Sequence, residues 1–224
     1  MTASVDLSAI IDHTLLRADA TRADIEQLCR EAVHHRFAAV CVNPCWVTEC
    51  RRVLGSERIA IAAVVDFPLG AGTPDLKAYG ARRAVEMGAS ELDVMIDIGA
   101  MKSGDPARVE AGLRGVREAA PGITIKAILE TAMLSRDENI AAARLAMACG
   151  ADFVKTSTGF AGGATPDDVR LLRETVGSRI GVKASGGIRT LESALALIEA
   201  GASRLGTSSG VAIVAAQRSG ASAG

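Results

Sequence analysis

The sequence is poor in aromatic residues and in long apolar runs, and its charges nearly cancel. Phe, Trp and Tyr make up 3% of the 224 residues, so most of the buried core must come from Ala, Val, Ile and Leu. No apolar run approaches the ~20 residues of a membrane span. A net charge of −1 gives no overall attraction to nucleic acid or to an anionic membrane. We therefore expect no nucleic-acid and no membrane partner, and any acidic ligand must be held by local groups.

Cysteine and histidine are also too few and too scattered to indicate a metal site. The five cysteines are odd in number and include no Cys-x-x-Cys pair, which favours reduced thiols in a cytoplasmic protein. His34 and His35 fall at a predicted helix end and His13 stands alone, so no histidine cluster suits a metal-dependent reaction. The first residues do not have the basic and apolar pattern of a signal peptide. We predict an enzyme that uses no metal and no cofactor.

Short apolar runs alternate with helical patterns along the whole chain. Runs such as 38–42 and 59–65 are apolar on both faces, which is typical of parallel strands covered on both sides. Three helix-to-strand joints repeat a Gly-Ala pair, at Gly88, Gly150 and Gly201, because glycine takes the left-handed conformation without strain. Eight such units, with no Gly-x-Gly-x-x-Gly turn after the first strand, favour an α/β fold of the (β/α)8 TIM-barrel type over an open sheet.

We predict one domain over residues 1–224, with a short N-terminal segment at 1–8. The last residues, 217–224, are small and polar, and we predict a flexible tail there. In barrels of this type the carboxyl ends of the strands form the active face, so the candidate functional residues are sought there.

Two strand-like runs in the C-terminal half each contain one lysine, Lys155 in 152–159 and Lys183 in 180–187. Solubility explains such lysines poorly, because a solvated lysine belongs on a polar face. Ammonium groups on strands ~4.8 Å apart repel by roughly 3 kcal/mol at an effective dielectric of 20, which lowers the pKa of one amine towards about 8. An uncharged amine attacks carbonyl groups, so the pair predicts Schiff-base chemistry.

A plain buried salt bridge is the alternative for either lysine. Asp93 lies in a strand whose apolar and polar residues alternate, so it can face inward. There it would either hold one lysine charged and pass protons, or serve only as the structural ion-pair partner of that lysine. Lys126 is a third strand lysine, four residues before Glu130 and therefore deeper in the barrel. We predict that it forms a buried ion pair.

Glycine and hydroxyl residues cluster at the ends of the last two predicted strands. Gly186 and Gly187 follow one strand, and 206–210 reads Gly-Thr-Ser-Ser-Gly after the next. Backbone N–H groups at helix N-termini bind phosphate, and this is its usual position in TIM barrels. Gly159 adds a further turn from the preceding strand. The pattern predicts a phosphate site, and simple tight turns are the alternative.

Six runs that follow one another across nearly the whole chain resemble the deoxyribose-phosphate aldolase family, and the two lysine runs are the most specific of them. They are Ile11-Asp12-His13-Thr14-Leu15-Leu16, Cys41-Val42-Asn43-Pro44, Glu91-Leu92-Asp93-Val94, Val154-Lys155-Thr156-Ser157-Thr158-Gly159-Phe160, Val182-Lys183-Ala184-Ser185-Gly186-Gly187-Ile188-Arg189 and Leu205-Gly206-Thr207-Ser208-Ser209.

The resemblance implies a class I aldolase of deoxyribonucleotide catabolism that reversibly cleaves 2-deoxy-D-ribose 5-phosphate to acetaldehyde and D-glyceraldehyde 3-phosphate without a metal. It implies that Lys155 forms the Schiff base, that Lys183 lowers the pKa of that amine, and that Asp93 transfers protons with Lys183. The further residues it implies at the substrate are Asp12 and Thr14 at the sugar hydroxyl, Cys41 at a thiol position, and Gly159, Gly186, Gly187, Ser208 and Ser209 around the phosphate. Thr158 and Gly206, in the same runs, are further candidate substrate-binding residues.

Two departures from the family's pattern stand out. Some members have a lysine after the Thr-Gly where this chain has Phe160, and some end in a tyrosine where this chain ends Ser-Ala-Gly. Two other functions stay open on the residues: a phosphosugar isomerase or synthase that needs no imine, and a phosphosugar-binding regulator that lost catalysis. Barrels of this type often pair through outer helices, so we expect a homo-oligomer, either a dimer or a tetramer.

Overall fold

The protein is a closed barrel of parallel strands surrounded by helices, seen in a computed structural model that describes residues 6–221. The strands are β1 Ile11–Leu15, β2 Ala39–Val42, β3 Ala60–Val65, β4 Glu91–Met95, β5 Thr124–Ile128, β6 Phe153–Lys155, β7 Gly181–Ser185 and β8 Arg204–Thr207. Each strand pairs with the next in the chain, and β8 closes on β1. The predicted TIM barrel is confirmed.

The helices follow the strands in order, and several begin directly after a residue whose side chain caps the first turn. They are α1 Arg22–His35, α2 Val47–Leu54, α3 Pro74–Glu86, α4 Ile98–Lys102, α5 Pro106–Ala119, α6 Arg136–Ala148, α7 Pro166–Val176, α8 Leu191–Glu199 and α9 Gly210–Ala221. Thr21 and Asp24 form a reciprocal capping box at α1, in which each side chain accepts a backbone N–H of the other residue. No helix within the described range is long and apolar enough to cross a membrane.

The two chain ends are described in part. Residues 217–221, placed in the predicted flexible tail at 217–224, are helical and form the last part of α9, and residues 222–224 lie outside the described range, so the flexibility of the tail stays a prediction. At the other end, Leu7–Ile10 forms a 3-10 turn in which Leu7 is fully buried. The N-terminal segment therefore packs onto the barrel from residue 7 onward, because Leu7 contributes to the core.

The buried interior has two parts of different chemistry. A large apolar cluster fills the space between the strands and the helices. Inside the barrel, a small cluster of Cys41, Ala62 and Val64 occupies the side of β2 and β3, with Phe67 packed against it. The remaining interior, on the side of β4 to β8 and β1, holds buried charged side chains. This division places the charged side chains on the six strands other than β2 and β3.

Candidate active site

A pocket of about 480 Å³ opens at the carboxyl ends of β1, β6, β7 and β8. Its wall combines glycine-rich turns with apolar and hydroxyl side chains. The lining residues are Thr14, Leu15, Leu16, Arg17, Ala18, Lys155, Thr158, Gly159, Phe160, Ser185, Gly186, Gly187, Ile188, Arg189, Gly206, Thr207 and Ser208. The pocket therefore lies on the face that the fold predicts for chemistry.

Three lysines from adjacent strands point into the barrel and meet at one carboxylate. Lys126, Lys155 and Lys183 each place Nζ 2.7 Å from a carboxylate oxygen of Asp93. Lys155 and Lys183 share the same oxygen, Oδ2, so their nitrogens are separated by no more than twice that distance. Asp93 is fully buried. The predicted crowding of the two lysines is therefore present, at the same end of the barrel as the glycine turns.

A second buried carboxylate, Asp12 of β1, extends this network across the seam of the barrel. Its Oδ2 lies 2.5 Å from Nζ of Lys183, and its Oδ1 accepts a 2.7 Å bond from the guanidinium of Arg204 on β8. Glu91, at the start of β4, lies 2.6 Å from Lys126 and 3.4 Å from Arg204. Barrel closure brings these residues together, because β1 pairs with β8.

For Asp12, Asp93 and Lys183, the charged partners change the pKa more than burial does. Burial alone raises the pKa of the Asp93 carboxyl, but Lys126, Lys155 and Lys183 hold that pKa well below its usual range. Burial likewise raises the pKa of Asp12, and Lys183, Lys126 and Arg204 reverse the effect and lower it. For Lys183, burial lowers the pKa, and the carboxylates of Asp12 and Asp93 raise it above the ordinary lysine value. Asp12 and Asp93 are therefore anionic and Lys183 is cationic at neutral pH.

The simple repulsion argument from the sequence is therefore incomplete. It treated Lys155 and Lys183 as two bare ammonium groups, whereas the structure places Asp93 between them and adds Asp12 beside Lys183. Asp93, whose position the sequence left open, faces inward, and the predicted buried ion pair of Lys126 is confirmed. Of the three lysines, Lys155 alone lines the pocket, and Lys126 and Lys183 are completely buried below it.

The structure divides the other predicted substrate residues into two groups. Those on the pocket wall are Thr14, Thr158, Gly159, Gly186, Gly187, Gly206 and Ser208. Asp12 lies below the wall in the charge network. Cys41 is also fully buried, with Sγ 3.8 Å from Asp93, and burial raises the pKa of its thiol. Ser209 is beside the wall, and its N–H donates to the hydroxyl of Thr207.

The glycine turns of the pocket are close-packed against one another. Gly159, Gly186 and Gly187 all have positive φ, between 76° and 88°, a conformation that favours glycine. A Cβ on Gly186 would lie 2.8 Å from the carbonyl oxygen of Gly162, so this approach of two loops requires glycine. Helix α9 begins at Gly210, directly after the Ser208-Ser209 turn. Such backbone N–H groups can bind an anion.

Sequence reasoning missed two residues that shape this pocket. Arg189 is exposed on its wall, and the signal was its place directly after the Gly-Gly-Ile turn. Glu130 is almost fully buried with a positive φ of 54°, and its carboxylate accepts from both the N–H and the hydroxyl of Thr158. A left-handed glutamate is uncommon, and no sequence pattern indicates it.

Metal-ligating groups do not converge anywhere in residues 6–221. No set of three or more His, Cys, Asp or Glu side chains in that range has an arrangement that could hold a metal ion. His13 bonds to Glu31 at 2.7 Å, and it packs against Phe37 with 5.0 Å between ring centroids. The buried carboxylates of Asp12, Glu91, Asp93 and Asp97 instead pair with lysine or arginine, and the carboxylate of Glu130 accepts hydrogen bonds from Thr158.

Comparison with known proteins finds similar sequences over most of the chain. The sequence pattern of the family described as DeoC/LacD family aldolase matches residues 7–216. A deoxyribose-phosphate aldolase of Geobacillus sp. (strain WCH70) is 51% identical over 211 residues, which are 93% of this chain and 95% of the relative. One from Streptococcus uberis is 53% identical over 209 residues, 93% of this chain and 95% of the relative.

Among solved structures, a putative deoxyribose-phosphate aldolase from Coccidioides immitis superposes with a TM-score of 0.93 at 41% identity. The match covers 95% of this chain and 86% of that one. The family match at residues 7–216 spans the eight strands and the segments that line the pocket.

Proposed function

The chain belongs to the DeoC/LacD family of aldolases, and on that premise we propose that it cleaves 2-deoxy-D-ribose 5-phosphate reversibly through an imine on Lys155. The products are acetaldehyde and D-glyceraldehyde 3-phosphate. The enzyme is a carbon–carbon lyase, as its curated relatives are. The observation that carries the proposal is the position of Lys155, which alone among the three network lysines reaches the pocket.

The imine forms when the uncharged amine of Lys155 attacks the aldehyde carbon C1 of the open-chain sugar, and the carbinolamine then loses water. A base takes the proton of the C3 hydroxyl, whose electron pair forms the new C3 carbonyl. The C2–C3 bond breaks, and its electrons move into the C1–C2 bond while the iminium pair returns to nitrogen. The resulting enamine is protonated at C2, and water releases acetaldehyde from Lys155.

Asp93 and Lys183 supply the proton relay for these steps. Asp93 contacts both amines through one oxygen, so a proton can pass between Lys155 and Lys183 without a long movement. Lys183 is held cationic by Asp12 and Asp93, and it is therefore a proton donor rather than a competing nucleophile. Cys41, protonated and beside Asp93, adds no charge to the relay.

The substrate lies with its phosphate at the glycine turns and its reacting end at Lys155. Gly159, Gly186, Gly187, Ser208 and Ser209 surround the phosphate with backbone N–H groups and hydroxyls. Arg189 adds a side-chain cation on the same wall, which offsets the absence of a lysine at Phe160. Gly206 leaves room beside Lys183, and Thr158 shapes the turn after β6. Thr14 and Asp12 are assigned to the sugar hydroxyl.

Borohydride trapping tests the imine directly. Incubation with acetaldehyde and borohydride should add the mass of one ethyl group to Lys155, as read by peptide mass spectrometry. Lys155→Met should lose both the label and the cleavage activity, while Lys102→Met, which removes an exposed lysine of α4, should keep both. Unlabelled Lys155 in the active protein would refute the imine mechanism.

A coupled assay separates this function from its rivals. Retro-aldol cleavage produces D-glyceraldehyde 3-phosphate, which a linked dehydrogenase converts with oxidation of NADH after isomerisation, and the assay is run with EDTA present. An isomerase or a binding regulator would give no signal with deoxyribose 5-phosphate. Homo-oligomer formation and a cytoplasmic location stay predictions of the sequence.

A further inference from the structure

The pocket wall carries one basic side chain that the proposed reaction does not use. Within residues 6–221, the basic side chains that line the pocket are Arg17, Lys155 and Arg189, and no carboxylate lines it. Lys155 carries the proposed imine and Arg189 lies beside the phosphate turns, which leaves Arg17 without an assigned contact to the substrate. A wall whose charged groups are all basic attracts an anion.

Barrel closure places Arg17 beside the phosphate turns. Strand β1 is the neighbour of β8, and His13 is in register with Thr207. The chain that follows β1 therefore runs beside the Ser208-Ser209 turn, which follows β8. The glycine and serine turns come after β6, β7 and β8, so the loop after β1 completes the pocket wall on the side away from β6.

The depth of the residues along β1 also agrees with a contact at the phosphate end of the substrate. Asp12 is fully buried, Thr14 lies on the pocket wall, and Arg17, past the end of the strand, keeps 45% of its side chain exposed at the mouth. Lys155 is almost fully buried, so C1 of the bound sugar lies deep in the pocket. The phosphate on C5 is at the far end of the sugar and therefore nearer to the level of Arg17.

Two carboxylates hold the guanidinium of Arg17 at the mouth. Its Nη1 lies 2.8 Å from Oδ1 of Asp19, and its Nη2 lies 2.6 Å from Oδ2 of Asp24. Asp24 is itself fixed, because its carboxylate accepts the backbone N–H of Thr21 in the capping box of α1. A guanidinium has more N–H donors than these two contacts use, and its planar fork fits phosphate oxygens. Arg17 is therefore oriented and still has donors for a ligand.

We propose that Arg17 is a specificity-determining residue whose guanidinium contacts the phosphate of the substrate, on the other side of the β8 turn from Arg189. Asp24 orients the guanidinium, and the exposed Asp19 competes with the phosphate for it. This inference rests on the proposed cleavage of 2-deoxy-D-ribose 5-phosphate and adds a contact to that substrate. It supplies a second side-chain cation for the phosphate in a chain that has Phe160 where some family members have a lysine.

Removal of the guanidinium should affect only the phosphorylated sugar. Arg17→Met should raise KM for deoxyribose 5-phosphate roughly fivefold, with a smaller change in kcat, because a charge-assisted contact at a half-exposed position is lost. The value of kcat/KM for unphosphorylated deoxyribose should not change, since that sugar has no phosphate for the guanidinium. Arg17→Lys keeps the charge without the fork, so its KM should be intermediate. Competitive inhibition by inorganic phosphate should weaken in the same order.

Removal of the competing carboxylate should have the opposite sign. In Asp19→Asn the guanidinium is held less strongly, so KM for deoxyribose 5-phosphate should fall by about twofold and inorganic phosphate should inhibit at lower concentration. In an Arg17→Met background the same substitution should have no further effect, because Asp19 acts through Arg17. The side chain of Asp19 is 82% exposed, so this variant carries the test even if Arg17→Met does not fold.

Arg170 and Asp167 on α7 provide the matched control. They form an exposed ion pair of the same kind, and neither residue lines the pocket. Arg170→Met and Asp167→Asn should therefore leave KM for both sugars and the inhibition by inorganic phosphate unchanged. A change as large as that at Arg17 or Asp19 would mean that loss of any surface charge is sufficient, and would overturn the specific contact.

The outcomes distinguish this inference from the function on which it rests. In an active protein, equal losses with both sugars in Arg17→Met, or no loss with either, would refute the contact alone. A protein inactive on deoxyribose 5-phosphate would refute the proposed function. Calorimetric titration with inorganic phosphate would then test Arg17 by itself, and unchanged binding in Arg17→Met would overturn the contact. A phosphate-specific loss in Arg17→Met, with a gain in Asp19→Asn that disappears in the double variant, would establish it.

Discussion

At the scale of single residues, the site depends on glycines that leave room for longer neighbours. Gly206 is in register with Asp12 on the adjacent strand, at the level where the Lys183 side chain crosses β8. An added Cβ there would strike Oγ of Ser185 and lie 3.0 Å from Cε of Lys183. Absence of a side chain at this position therefore allows Lys183 to reach both Asp12 and Asp93.

Gly206→Ala should impair the reaction more than it impairs folding. The Ser185 hydroxyl can rotate away, but displaced Lys183 loses its geometry at two carboxylates, so we expect kcat to fall by at least about tenfold. Gly220→Ala is the matched control, because its Cβ would meet nothing within 4 Å. Steady-state kinetics and thermal unfolding should be measured on both. Equal kcat for the two variants would contradict this view of Gly206.

At the scale of elements, the turn after β6 is held by a carboxylate from the end of β5. The Thr158 hydroxyl donates to Glu130 and accepts from the N–H of Phe160 at 3.0 Å. Phe160 in turn packs edge-to-face on Phe67 of the loop after β3, with 5.5 Å between ring centroids. The turn that presents Gly159 to the pocket is thus fixed from both sides, and its backbone N–H groups are oriented before a ligand binds.

Removal of the Thr158 hydroxyl should weaken phosphate binding selectively. In Thr158→Val the side chain keeps its shape, but the turn loses both hydroxyl contacts, so we expect KM for deoxyribose 5-phosphate to rise about tenfold with a smaller change in kcat. Thr158→Ser keeps the hydroxyl and should behave like the unsubstituted protein. Unphosphorylated deoxyribose provides the second comparison, since its KM should hardly change. A similar loss with both sugars would mean that the turn serves the reacting carbon instead.

At the scale of the whole molecule, buried charges make stability depend on pH at both extremes. Asp12 and Asp93 have lowered pKa values in the folded protein because their lysine and arginine partners outweigh burial. Groups of this kind stabilise the fold above the unfolded carboxyl pKa of about 3.9, and the contribution is lost as pH falls further. Lys183 has a raised pKa, so its contribution is present below about 10.4 and is lost as pH rises beyond that value.

The free energy of unfolding should therefore be nearly constant across neutral pH and fall below about pH 4 and above about pH 10. Urea denaturation at a series of pH values measures it. Asp12→Asn should show a shallower acid decline than the unsubstituted protein, because one perturbed carboxyl is gone. Asp167→Asn changes an exposed carboxyl on α7 and should leave the slope unchanged. A steady decline across pH 5 to 8 in the unsubstituted protein would contradict this origin of its stability.

The sequence by itself determined the barrel, the order of its elements and the face that carries the site. Apolar runs on both faces require a sheet covered by helices, and capping residues such as Thr21 together with joint glycines such as Gly150 depend only on local backbone geometry. Lys155 and Lys183 could be placed side by side because neighbouring parallel strands end together. These features are local or periodic, so the chain displays them without knowledge of distant contacts.

Only the tertiary structure decided which charges meet inside the barrel. Asp12 and Lys183 are 171 positions apart in the chain, yet closure of β8 on β1 brings them to 2.5 Å. The fold likewise brings Arg204 to Glu91 and the left-handed Glu130 to Thr158. Coulomb energy depends on the distances between charges and on their burial, and the separation of two residues along the chain gives neither quantity. The sequence could therefore indicate two crowded amines, and the fold alone determined that Asp93 lies between them and that Lys155, unlike Lys126 and Lys183, lines the pocket.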